Sequence, residues 1–171
     1  ANNDNKDLIL MIGEWVAQQA IKQLKLWQDH TWSQQTGFLA INISARQFHQ
    51  TNFVDNITRI LQQQQVNPDS LKLELTESLV IEDIVDTVTK MEALRKLGVR
   101  IAIDDFGTGF SSLAYLRQLP VDELKIDKSF VMHMQNNEND AVIVRSTIDL
   151  ARNLGLKVVA EGIEDAGTWE M

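Results

Sequence analysis

The sequence predicts an α/β domain built on a parallel sheet, and three observations carry that expectation. Apolar residues alternate between helical spacing and short strand-like runs along the whole chain. One unit is repeated: RKLGVRIAIDD (Arg95 to Asp105) and RNLGLKVVAEG (Arg152 to Gly162) both run helix end, Leu-Gly, basic residue, apolar strand, acid. Finally, each of five expected strands carries a charged or amide side chain at or near its C-terminal end. Open doubly wound sheets and (β/α) barrels both bind their ligands at that end of the strands.

Taken in order, Leu8, Ile12, Trp15, Val16, Ala20, Leu24 and Trp27 form the stripe of a first helix, with both tryptophans expected in the core. Phe38 to Ile43 (FLAINI) reads as a strand. A helix carrying Val54, Ile57, Ile60 and Leu61 follows and ends in four glutamines before Pro68, a solvated helix end. Leu71 to Leu75 (LKLEL) is the second strand. Ile81, Ile84, Val85, Val88, Met91 and Leu94 predict one continuous helix that Gly98 caps. Val99 to Ile103 (VRIAI) is a strand, and Ser111 to Arg117 a short helix before Pro120. ELKI (Glu123 to Ile126) is the fourth strand, and a helix from Glu138 to Leu154 is expected to bury Val144, Ile148 and Ala151. KVVA (Lys157 to Ala160) is the fifth strand.

Composition narrows the functions. The 171 residues carry 16 Lys and Arg against 24 Asp and Glu, a formal net charge of -8, which argues against a basic face for a nucleic-acid duplex. There is no Cys, so disulfides, thiolate zinc sites and thiol catalysis are excluded. No apolar run approaches the length of a membrane span or a signal-peptide core. A soluble cytoplasmic domain is expected. The polar opening ANNDNKD and the ending inside EDAGTWEM suggest a piece of something longer.

The strand-end residues are Asn42, Glu74, Asp104, Asp105, Lys125 and Glu161. Asp104 and Glu161 each lie six residues after a glycine (Gly98 and Gly155), so they hold the same place in two βα units. Any one of them taken alone is an ordinary polar strand end. As a set, four of the six are carboxylates that would repel strongly when gathered at one mouth. A hard-cation site is the simplest reading: carboxylates with one amide carbonyl favour Mg2+ or Mn2+, with Ca2+ as competitor. Four carboxylates suit two ions bridged by an acid such as Asp104, a pairing about 3.5–4 Å apart that serves phosphoester hydrolysis. Lys125 either orients the attacking water or is a plain salt-bridging lysine.

The DDFGTGFSSL segment (Asp104 to Leu113) reads as a lid or turn shaped by Gly107 and Gly109, and Glu77 either caps the next helix or anchors that lid. Ser44 and Ser111 have no accompanying histidine, which disfavours a serine nucleophile, and His30, His49 and His133 are expected to be surface or packing residues.

NISARQF (Asn42 to Phe48), ELTES (Glu74 to Ser78), DDFGTGFSSLAYLRQLPVDELKIDKSFV (Asp104 to Val131) and VVAEGIE (Val158 to Glu164) closely resemble the EAL-domain family, bacterial phosphodiesterases that open cyclic di-GMP to linear pGpG. The resemblance runs nearly end to end from IGEWV (Ile12 to Val16). It implies a (β/α)8 TIM-like barrel of the EAL type, incomplete here, with residues 1–171 as one domain. The strand bearing the Glu-Ala-Leu motif and the C-terminal segment with a catalytic-site glutamine are expected to lie outside it. The resemblance also implies metal ligation by Asn42, Glu74, Asp104 and Asp105, a water held by Lys125, and a contribution of Glu161 to the metal and water site. Glu77 resembles the glutamate that tethers the lid, here Phe106 to Ser112, which is linked to formation of a homodimer. Family members are commonly fused to sensory or cyclase-like domains, and the parent protein can be attached to the inner membrane. Two alternatives remain open at this point: a family member that binds cyclic di-GMP without cutting it, and an unrelated barrel using one Mg2+ for enolate chemistry.

Overall fold

The computed structural model describes residues 4–29, 37–109 and 116–170, with side chains from residue 8 onward. Helix α1 (Asp4–Asp29) leads to strand β1 (Leu39–Ile43), then α2 (Ala45–Phe48) and α3 (Phe53–Gln64). A 3-10 turn (Pro68–Ser70) enters β2 (Leu71–Thr76), which continues into α4 (Glu77–Glu82) and α5 (Ile84–Leu97). Strands β3 (Arg100–Phe106) and β4 (Glu123–Ile126) follow, then α6 (Lys128–Val131), α7 (Glu138–Leu154), β5 (Lys157–Ala160) and α8 (Ala166–Glu170). The short helix expected at Ser111 to Arg117 lies outside the described residues up to residue 115, as do His30, Ser111 and the far end of the lid.

All five strands are parallel and lie in sequence order, β1-β2-β3-β4-β5. That order separates the two architectures the alternation allowed. A doubly wound sheet reverses its order at a switch point and carries helices on both faces. Sequential order keeps the crossovers on one face, as in a (β/α) barrel.

The two faces of the sheet differ in chemistry, and the helices pack on one of them. Ile41, Leu73 and Ile101 stand in register, as do Ile43, Leu75, Ile103, Leu124 and Val158. These side chains form one apolar cluster with Ile21 and Leu24 of α1, Phe48, Ile57 and Ile60 of α2 and α3, and Met91 and Leu94 of α5. The opposite, inner face is mostly polar. It carries Asn42 on β1, Lys72 and Glu74 on β2, Ala102 and Asp104 on β3, Glu123 and Lys125 on β4, and Lys157 on β5. The period of two within each strand therefore sorts helix-facing apolar residues from inner polar ones.

Two helix expectations are corrected. Leu8, Ile12, Trp15 and Val16 of α1 are exposed, Trp15 at 61%, and the buried positions are Ala17, Ile21 and Leu24, with Trp27 packed at the margin. Ile9, Ile12 and Val16 line a cleft beside the inner-face acids and stand outside the core. The single helix expected from Ile81 to Leu94 is two helices. Asp83 is extended (φ -146, ψ 92) and its carboxylate accepts the Asp86 N–H at 3.1 Å, so it ends α4 and caps α5. The break turns the apolar spacing out of phase: Val85 is 74% exposed and Ile81 is 40% exposed, while Thr87, Lys90, Met91 and Leu94 are buried. Ile148 of α7 is half-buried, flanked by buried Val144 and Ala151. Gly98 caps α5 in the left-handed conformation at φ 97, as its position predicts.

The corrected α5 register is testable in urea unfolding of the intact protein. Met91→Ala is expected to cost about 2–5 kcal/mol by opening a cavity. Val85→Ala should stay within about 0.5 kcal/mol. Equal costs at the two positions would return α5 to the sequence-derived stripe.

Candidate functional site

The site begins with where the strands stop. Glu74 is the fourth residue of β2, Asp104 the fifth of β3 and Lys125 the third of β4, while Glu161 follows β5 directly, its N–H donating to the Ile126 carbonyl at 3.2 Å. The Lys125 Nζ lies 2.7 Å from Glu74 Oε2, 3.0 Å from Asp104 Oδ2 and 2.7 Å from Glu161 Oε1. Three carboxylates from three other strands thus share one ammonium. Burial alone would lower the pKa of this lysine, but hydrogen bonds to Glu161, Glu74 and Asp104 outweigh it and hold the ammonium well above the ordinary lysine range. Lys125 stays charged throughout the neutral range.

A β-bulge brings in the fifth charge. Ile103 pairs with Leu124 and Phe106 with Ile126, so Asp104 and Asp105 together oppose Lys125 alone. In a regular strand, adjacent side chains face opposite ways. Here Asp105 takes up the extra residue in the left-handed conformation, φ 54. Burial pushes its carboxyl above the usual aspartate range, reinforced by the charges of Asp104 and Asp127 and by a hydrogen bond with Asp127. Asp127 is shifted the other way, first by the Ser129 hydroxyl and backbone N–H, with Asp105 contributing. As N-cap of α6, the Asp127 carboxylate also accepts the Ser129 N–H at 2.9 Å. Sequence reasoning missed Asp127, although its position two residues after Lys125, at the end of ELKI, was a usable signal.

Asn42 is exposed on β1 in register with Glu74. It lines a cleft of ≈ 520 Å³ with Glu74, Asp104 and Asp105, walled on the far side by Ile9 and Ile12 of α1. The donors gathered here are carboxylates and an amide oxygen, which suits a hard divalent cation. Among the described residues no three acidic or histidine side chains are already spaced as a metal shell. Glu74, Asp104 and Glu161 close on the lysine instead.

Glu77 is set apart from this ring. It opens α4 and is 3% exposed, and its Oε2 accepts the backbone N–H groups of Gly107 at 2.8 Å and Gly109 at 3.3 Å. Of the two roles open to it, the carboxylate takes the loop. A Cβ on residue 109 would lie 2.8 Å from Glu77 Oε1, so any side chain there would have to displace the carboxylate that holds the loop. Ser44 caps α2 in a capping box with Gln47, and His49 pairs with Glu82 at 3.1 Å on the surface.

Comparison with known proteins gives the family. The family model described as EAL domain matches residues 3–171. The bifunctional diguanylate cyclase/cyclic di-GMP phosphodiesterase MucR of Pseudomonas aeruginosa is 44% identical over 160 residues, covering 92% of this chain and 23% of that protein. Cyclic di-GMP phosphodiesterase NbdA of the same organism is 40% identical over 157 residues, covering 92% of this chain and 20% of that protein. The chain therefore spans less than a quarter of either relative. The solved PaMucR phosphodiesterase in complex with c-di-GMP superposes with a TM-score of 0.92 at 41% identity, covering 98% of this chain and 67% of that one. No helix among the described residues is long and apolar enough to cross a membrane. With the match running almost from end to end over a parallel sheet of sequential order, the chain belongs to the EAL domain family.

Proposed function

We propose that this chain carries most of the catalytic face of a metal-dependent cyclic di-GMP phosphodiesterase that opens one phosphodiester to give linear pGpG. The observation that supports the reading most directly is the convergence of Glu74, Asp104 and Glu161 on Lys125 at the C-terminal mouth of the sheet. Two relatives, 44% and 40% identical to this chain, bear the name cyclic di-GMP phosphodiesterase.

In this reading Asn42, Glu74, Asp104, Asp105 and Glu161 hold Mg2+ or Mn2+, two ions per site. When bound, such ions supply an activated water and neutralise charge on the phosphodiester. The protein's own part is positional. Lys125 keeps its proton and so offsets the phosphate charge, and it would donate to the water where one of its carboxylates turns from it to an ion. Its three carboxylate contacts fix the ammonium at one point of the mouth. Asp105 and Asp127 share a hydrogen bond beside it and hold the bulge in place. Glu77 ties the first residues of the lid to α4. The apolar residues Ile9 and Ile12 offer a dry wall to a base.

The direct test incubates the intact protein with cyclic di-GMP and Mn2+, with EDTA as control, and follows pGpG. Binding without turnover would favour the second family reading, a nucleotide sensor. Asp104→Ala is expected to lower turnover on the order of 10³-fold or more, as loss of several kcal/mol of charge stabilisation implies. Its far-UV circular dichroism should be unchanged, and near wild-type turnover would refute the assignment. Glu77→Ala should loosen the loop and weaken Mn2+ binding in calorimetry; unchanged affinity would count against the tether.

Asp105 gives a pH-dependent outcome. A carboxyl whose folded-state pKa lies above its unfolded value favours the folded state at low pH and loses that advantage as pH rises through the folded value. Asp105→Asn, measured in EDTA, should therefore raise the thermal midpoint at pH 7. Below the ordinary aspartate value of 3.8 the two proteins should melt alike. A lower midpoint at pH 7 would contradict the crowding of charge.

A further inference from the structure

One level below the ring, on the same two strands, lies a second ion pair that the proposed chemistry does not use. Lys72 precedes Glu74 by two residues on β2, and Glu123 precedes Lys125 by two on β4. Strand alternation therefore puts each on the same face as its neighbour. The Lys72 Nζ is 2.6 Å from Glu123 Oε1, with side chains only 5% and 8% exposed, and it sits 3.7 Å from the Phe38 ring centroid. The two strands are not neighbours, because β3 runs between them. At this level β3 presents Ala102, in register with both Glu74 and Glu123 and fully buried. A methyl group there leaves the lysine room to cross.

We infer that the Lys72–Glu123 pair is a positioning device for the ring above it. Both links span β3, and their polarity is reversed: the cation stands on β2 in the lower pair and on β4 in the upper one. In the observed register Glu74 and Glu123 stand level on either side of Ala102, with Lys72 one pleat below them and Lys125 one pleat above. Each lysine crosses β3 on the diagonal to the carboxylate of the other strand, and the two links together brace β2 against β4. The lower pair thereby supports the distance across β3 at which Glu74 meets Lys125. Lys72 and Glu123 are positioning residues, because neither touches the acids of the mouth directly. The inference rests on the reading of that ring as the catalytic one.

The test compares two variants of the intact protein. Lys72→Met together with Glu123→Gln removes both charges at similar volume, a change that buried pairs tolerate in folding. Lys72→Arg keeps the cation over Phe38 and its bond to Glu123. The first readout, independent of metal, is the ¹⁵N signal of the Lys125 ammonium in EDTA, slowed in exchange by its three carboxylates. The second is the Mn2+ dissociation constant by electron paramagnetic resonance. The neutral pair should keep its thermal midpoint within a few degrees of wild type, yet exchange the Lys125 protons at least about tenfold faster. It should also bind Mn2+ about ten- to a hundredfold more weakly, the usual loss when groups supporting metal ligands are removed. Lys72→Arg should match wild type in both. A folded neutral pair with an unchanged Lys125 signal overturns the inference. So does a neutral pair that fails to fold, since the pair would then hold the fold and not the site. A wild-type protein that shows the slowed signal but neither binds Mn2+ nor cuts cyclic di-GMP would sink the hydrolase reading alone, leaving the Lys125 signal to decide this one.

Discussion

Lys125 is the point on which the inner face of the sheet depends. Its ammonium touches carboxylates from β2, β3 and the end of β5. Those acids come from segments far apart in sequence and meet on this one cation. Without a central cation their mutual repulsion in a partly buried layer would push the strand ends apart or force protons onto them. Burial of the lysine is tolerated for the same reason: each of the three carboxylates satisfies a donor that the interior would otherwise leave unpaired. The cluster is a closed local balance, and the strained Asp105 and the pair it forms with Asp127 sit at its border.

The rest of the architecture serves to make that inner face. Sequential strand order sends the connecting helices to one side, and apolar residues of β1 to β4 meet them there. The other side is left to polar groups, which in a five-stranded sheet of this kind would be an exposed liability unless they were paired. Pairing takes place in layers, Lys72 with Glu123 and Lys125 with Glu74. On this face compensated charge stands where branched apolar side chains usually pack a barrel interior.

Much of this was legible in the letters. ELKI and KVVA are strands at the expected residues, and Glu138–Leu154 is a helix with its ends where Asn137 and Gly155 place them. These segments are short, apolar in the right period, and bounded by strong caps, so local chemistry decides them. The acids of the mouth were legible because strand ends are legible. What escaped notice depended on phase. The break at Asp83 shifts the helical register by less than a turn, which a list of apolar positions cannot register. The outward tryptophan of α1 belongs to a helix whose first half borders a cleft, so tertiary placement overrode its spacing. Lys72 and Glu123 read as ordinary strand charges until their side chains are seen to meet at 2.6 Å across β3.

The bulge between Ile103 and Phe106 makes chain length a chemical variable. Removing a single residue from this stretch would restore regular pairing and send one of the adjacent aspartates toward the helix side, where no counter-charge awaits it. A conservative replacement at either position leaves the path of the backbone intact, but a one-residue deletion rewires it. Shortening by one residue at this point should therefore be tolerated far less well than almost any exchange of side chains, and homologues that have lost a residue here are the natural place to look for members of the family that have lost their chemistry.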